Sequence, residues 1–159
     1  APVAEVLADP RARLAARIAG AEVVRVAQAQ GIRLEQIGAF DPTAFAEGPG
    51  WQERAEAVLD RLAEEMRYSL KPHMGIWMDL RVKRRKTEVD MQCGAVVARG
   101  ERLGIPTPVN AATVRVVHEI EDGRREMGWS NLDELAAAAP DARIAVPRPG
   151  PGERDGARL

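Results

Sequence analysis

The side chains best placed to do chemistry lie in one stretch, Arg84-Arg85-Lys86-Thr87-Glu88-Val89-Asp90-Met91-Gln92-Cys93-Gly94. A basic run ends there and a helix is predicted to begin. Thr87 suits the N-cap, because its hydroxyl can accept a bond from a free amide of the first turn. Asp90 stands three residues on, a variant of the Ser/Thr-x-x-Glu/Gln capping box with Asp in the last place. Glu88 and Asp90 put negative charge at the positive end of the helix dipole, worth about 0.3–1 kcal/mol each. A carboxylate also accepts strong bonds from ligand hydroxyls. On the residues alone, the dipole is the simpler account of Glu88. Gly94 interrupts good helical sequence at a cost of about 1 kcal/mol against Ala, which predicts a close approach to the backbone there.

Other chemistries are poorly served. Neither G-x-G-x-x-G nor a P-loop pattern occurs, so no phosphate-binding loop is expected. Cys93, His73 and His118 stand apart in the chain, whereas a metal site needs three or four converging ligands. Cys93 falls on the apolar stripe Val89, Cys93, Val96, Val97, Leu103 and reads as a small core residue rather than a nucleophile. The run from Arg81 to Lys86 reads first as a solvated segment and second as a contact for ligand phosphates. It lacks interleaved stacking aromatics, and a net charge of −1 gives no pull towards nucleic acid.

The elements that must position these groups are helical. Apolar residues make up 45% and charged residues 30% of the 159, the balance of a soluble chain with one core. Alanine and arginine are abundant and β-branched runs few, which predicts an all-α fold. Asp9-Pro10 is a helix start, Asp as N-cap and Pro in the first turn. Leu14, Ile18, Ala21, Val24 and Ala27 follow at helical spacing, with Gly31 as the stop. Glu22 lies beside that stripe. It reads as a surface carboxylate paired with Arg17 or Arg25, the alternative being an interface with another domain. Residues 32–50 form a long connection anchored by Phe40 and Phe45. A second helix runs from Trp51 to Met66 with Ala55, Val58, Leu59, Leu62 and Met66 buried.

After Pro72 a short element, residues 76–83, points Trp77, Leu80 and Val82 inward. The helix from Thr87 stops near Gly104. Ile105-Pro106-Thr107-Pro108 is an extended bridge, and a further helix starts at Val109 or Asn110 with Val114, Val117, His118 and Glu121 on successive turns. Ser130 is the expected N-cap of a short last helix ended by Pro140. Residues 140–159, rich in Pro, Gly and Arg without apolar rhythm, read as a mobile tail beyond a domain spanning 1–139. A single cysteine fits a reducing compartment. No apolar run approaches the ~20 residues needed to cross a bilayer, and no charged-then-apolar leader opens the chain. The expected location is cytoplasmic, without membrane contact.

Asp79-Leu80, the basic run, Thr87-Glu88-Val89-Asp90, Gly94-Ala95-Val96-Val97 and Leu103-Gly104-Ile105-Pro106-Thr107-Pro108-Val109-Asn110 occur in that order. As a set they make the chain, over residues 1–139, resemble the C-terminal domain of the ketopantoate reductase (2-dehydropantoate 2-reductase) family of pantothenate biosynthesis. The resemblance implies a helical bundle like the C-terminal domain of 6-phosphogluconate dehydrogenases. It also implies that the complete enzyme reduces a small 2-keto acid to a 2-hydroxy acid with NADPH. Glu88 matches the family glutamate that faces the interdomain cleft and bonds substrate or cofactor hydroxyls, and Asn110 belongs to the same cleft. The family serine that holds the substrate carboxylate has no counterpart in Lys71-Pro72-His73-Met74-Gly75-Ile76. Either His73 or the backbone around Gly75 replaces it, or the substrate differs. The family's catalytic lysine is expected upstream of the point matching Ala1, and the dinucleotide-binding domain further upstream. These residues are therefore expected to supply one wall of the cleft, with no catalytic lysine, no metal and no tight NADPH binding of their own. Pairing of two copies through this domain is a further implication. The alternative is a stand-alone, non-catalytic helical interaction module derived from that domain.

Overall fold

The computed structural model describes residues 1–38 and 40–139; the predicted tail, 140–159, lies outside them. Among the described residues the fold is all-α, as the composition predicts. The helices are α1 (Val3–Val6), α2 (Pro10–Ala29), α3 (Trp51–Arg67), α4 (Gly75–Trp77), α5 (Ala95–Leu103), α6 (Pro108–Glu121) and α7 (Asn131–Ala137). Two runs are wound more widely than an α-helix: Met78–Lys83 continues α4, and Asp90–Gly94 leads into α5. None of these helices is long and apolar enough to cross a membrane.

Helix α2 is the central post, packing against α3, α5, α6 and α7. It begins as its sequence directs: Asp9 accepts from the Arg11 amide at 2.9 Å, and Pro10 occupies the first helical position. Its predicted stripe, Leu14, Ile18, Ala21, Val24 and Ala27, is buried. Against it lie Ala55, Val58 and Leu59 of α3 and Phe45, which a one-turn helix at Pro42–Phe45 folds into the core. Phe40 leans on Phe45 at 5.7 Å but remains 41% exposed, so only Phe45 anchors the long connection. The Phe45 ring seats directly on Gly20, where a Cβ would stand 2.5 Å away.

Glu22 overturns its expected place. It is 1% exposed and pairs with neither arginine; Arg17 reaches Glu56 and Arg25 reaches Glu47. Its carboxylate accepts instead from the Val109 amide (2.9 Å), the Asn110 amide (2.9 Å) and the Asn110 side-chain nitrogen (2.7 Å). The partner is the N-terminus of α6, which has no local cap, since Thr107 makes no side-chain bond to it. A buried carboxylate is costly unless its oxygens are satisfied. Here charge-assisted bonds and the positive end of a helix dipole satisfy it together.

Three further expectations need revision. Gly94 has no close neighbour beyond its own helix turn; the tight approach is at Gly100, where a Cβ would meet the Ile105 carbonyl oxygen at 2.7 Å. The chain turning out of α5 folds back over that residue. The stripe below α5 is only partly covered: Val89 is buried, but Leu103 is 43% exposed, and Val82 of the preceding element points outward at 57%. Ser130 makes no capping bond to α7; the neighbouring Asn131 side chain donates to the Glu126 carbonyl instead.

Replacing Glu22 with Ala strands two buried amides and the Asn110 side chain. The expected destabilisation is about 3–5 kcal/mol by urea denaturation, against about 1–2 kcal/mol for Glu22→Gln, which keeps an acceptor.

Candidate functional site

The site is built where the end of the basic run meets α6. Widely wound helix precedes and follows the turn that carries Glu88; the Gly94 amide, for example, returns to the Val89 carbonyl five residues back at 3.0 Å. Such turns concentrate at functional sites, because the extra residue re-aims the side chains around it. Between the two runs the chain reverses through Arg84, which holds a left-handed conformation (φ 49°). That region costs a residue with a Cβ roughly 1–2 kcal/mol.

Thr87 does the capping predicted of it, its hydroxyl accepting from the Val89 amide at 3.3 Å. The reciprocal half of the box is supplied from a distance. The Thr87 amide and hydroxyl both donate to one Glu121 oxygen, at 2.7 and 2.8 Å. Asp90 turns to His118, whose Nε2 lies 2.9 Å from its Oδ1. Glu88 is left exposed, and no protein group donates to its carboxylate among the described residues.

Gly75 sits beneath Glu88: a Cβ there would lie 3.8 Å from Glu88 Oε1. His73 is close in sequence, stacked on Trp77 with ring centroids 3.8 Å apart, and its Nδ1 lies 3.1 Å from the Ala1 carbonyl oxygen. That bond makes Nδ1 the donor, so the neutral ring keeps Nε2 as an acceptor. The Val3 amide also donates to the Pro72 carbonyl, at 2.8 Å. The first residues of the chain are thus tied to the segment that carries His73 and Gly75. Asn110 is the exception among the residues singled out. It is 2% exposed, and its amide nitrogen donates to Glu22 and to the Ala19 carbonyl. Its side chain is engaged in structure rather than turned to a cleft.

Apolar surface flanks Glu88. Met74, beside Gly75, is 64% exposed, and Met91, one turn past Glu88, is 81% exposed. Of the basic run, Lys83 and Arg85 both pair with the buried Asp79, at 3.1 and 3.0 Å. Arg85 and then Lys83 hold the Asp79 carboxyl below its ordinary value of 3.8. Arg81, Arg84 and Lys86 have no ion-pair partner among the described residues. The larger open concavity, about 490 Å³, lies elsewhere, between α5 and α6. Its arginines are already paired, Arg115 with Glu134 and Arg124 with Asp122, and His118 lies against Asp90. Of its carboxylates Glu101 is exposed and has no ion-pair partner among the described residues, a single free group rather than a converging set. Cys93 is half-buried; burial pushes its thiol up, and the nearby Glu22 charge adds to this, which removes it as a nucleophile. No group of residues able to hold a metal ion occurs among the described residues.

Residues 1–121 match the family model described as ketopantoate reductase PanE/ApbA C terminal, and the chain belongs to that family. No curated protein and no solved structure matches it. Sequence reasoning singled out Glu88 and Gly75, which the fold brings side by side. It missed Glu121 and the buried role of Glu22, because neither partner is local in the chain.

Two outcomes follow for the site's scaffold. Arg84→Gly relieves the left-handed turn and raises stability by about 1 kcal/mol in urea denaturation, since the Arg84 side chain makes no ion pair among the described residues that the change would remove. Asp79 has a folded-state pKa below its unfolded value. The stability it contributes is therefore present above pH 3.8 and is lost as pH falls through the folded value. Acid titration of Asp79→Asn should show a flatter loss in that window than the parent.

Proposed function

We propose that these residues form the substrate-side wall of an NADPH-dependent, 2-dehydropantoate 2-reductase-like oxidoreductase that reduces a small 2-keto acid to a 2-hydroxy acid. The observation that carries this reading is the Glu88 carboxylate, exposed and free of protein donors among the described residues, lying over Gly75. A carboxylate so placed accepts bonds from a hydroxyl of substrate or cofactor and fixes its orientation. Met74 and Met91 supply apolar surface for a covering domain. The first residues are tied to the His73 segment, which leads into Gly75 beneath Glu88, and this supports a covering domain that meets the chain on that side.

NADPH, when bound, supplies the hydride. The residues present fit it only in part: Glu88 can meet a hydroxyl, but no loop among the described residues cradles phosphates. In this reading the dinucleotide-binding domain and the proton-donating lysine are supplied from outside the described residues. In place of the family serine, His73 or the backbone around Gly75 would hold the substrate carboxylate. Neutral His73 presents only an acceptor and binds a carboxylate as its imidazolium alone. We also assign the protein to the cytoplasm, its role to pantothenate biosynthesis, and its self-association to a homodimer.

A non-catalytic interaction module is the second reading. It is favoured by the exposed Tyr68 (81%) and Leu70 (101%) leading into Met74, which any docking partner could cover. NADPH oxidation with a panel of 2-keto acids, run on the full gene product, separates the two. Glu88→Gln is expected to lower kcat/KM roughly 10–100-fold, the loss of one or two charge-assisted bonds. Turnover untouched by that change sinks the role of Glu88. A reading frame that opens immediately before Ala1 favours the module.

A further inference from the structure

Helix α6 ends in a residue that its own helix does not favour. Glu121 is the last residue of α6, followed by Asp122, so a carboxylate sits at the negative end of the helix dipole. Lys or Arg is the residue that stabilises such a position. The structure shows what the carboxylate does instead. One oxygen, Oε1, takes both the amide and the hydroxyl of Thr87, at 2.7 and 2.8 Å. Three residues earlier on the same face of α6, His118 Nε2 donates to Asp90 Oδ1 at 2.9 Å. The two contacts grip the residues on either side of Glu88 and leave Glu88 itself untouched. The α6 helix is fixed at its other end by Glu22, so the grip is on a rigid element and not on a loop.

We propose that Glu121 is the positioning residue for Glu88, with His118 as its second strut. Through Thr87 it sets the entry angle of the turn and so the direction in which the Glu88 carboxylate points. This rests on the reading of Glu88 given above. The geometry also explains the division of labour among the carboxylates here. Glu121 and Asp90 are consumed in holding the turn, and Glu88 is left free to meet a hydroxyl. A side chain that must orient a reacting group needs such support, because a misplacement of about 1 Å can cost on the order of 100-fold in rate.

The test uses the full gene product and three variants: Glu121→Ala, Glu121→Gln and Glu88→Gln. Gln keeps an oxygen able to accept both Thr87 bonds, so it separates positioning from charge. Hydrogen exchange in peptides covering residues 86–92 is expected to rise about tenfold in Glu121→Ala and to stay near the parent in Glu121→Gln, with α2 peptides unchanged as the folding control. In the keto-acid assay, kcat/KM is expected to fall roughly tenfold in Glu121→Ala and to recover in Glu121→Gln. In a Glu88→Gln background, Glu121→Ala is expected to cost nothing more, because it acts through Glu88. Unchanged exchange at 86–92, or a loss that persists in full without Glu88, overturns the proposal. Full activity in Glu88→Gln overturns the functional reading of Glu88 and leaves the exchange result to judge the clamp as a structural contact alone.

Discussion

The fold depends on one buried carboxylate. Glu22 lies in the middle of α2, the helix against which most of the others pack, and receives the N-terminus of α6. A carboxyl group with so little exposure is tolerable only when nearly every lone pair is used. Glu22 meets that requirement with two main-chain amides and the Asn110 side chain, all from the first turn of one helix. The arrangement is directional. It sets where α6 begins and how it is rotated about its axis, which non-directional apolar packing between α2 and α6 leaves loose. Asn110 also bonds the Ala19 carbonyl, one turn earlier on α2, so the two helices are pinned at more than one level.

From that fixed end, α6 carries order along its length. Its middle is braced by charge: Arg115 pairs with Glu134 of α7, and Arg125, just beyond α6, pairs with Glu119 and Glu134. These pairs are partly exposed, and each contributes little stability alone. Their common effect is to make α6 and α7 one body. The far end of α6 then grips the turn at Thr87 and Asp90. A chain of directional contacts therefore runs from the core to the residue proposed to meet the ligand, with a helix as the rigid link.

The segment between α4 and α5 is where the chain departs from low-energy geometry. Widely wound turns stand on both sides of Glu88, and Arg84 is left-handed between them. Strain of this kind persists only when its surroundings hold it. Asp79 does so from inside, bonding Lys83 and Arg85 across the reversal, and Glu121 does so from α6. The result is a carboxylate presented without a protein partner among the described residues, beside a glycine that leaves room for whatever it meets.

Much of this was legible in the sequence, because it follows from local rules. Asp9-Pro10 started a helix where those residue types do so; the stripe from Leu14 to Ala27 found the core; Thr87 capped its turn; and the order of motifs around Glu88 identified the family. These are consequences of side chains acting on backbone within a few residues. Glu22 and Asn110 were misplaced for the opposite reason. The partners of Glu22 are 87 and 88 positions away, and a lone carboxylate near an apolar stripe is far more often solvated than buried. Glu121 likewise reads as an ordinary acidic helix end until Thr87 is brought against it. Which carboxylate is buried, which is a clamp and which is free is not a property of residue type. Only the tertiary structure decides it, because only there does each acceptor find, or fail to find, a donor.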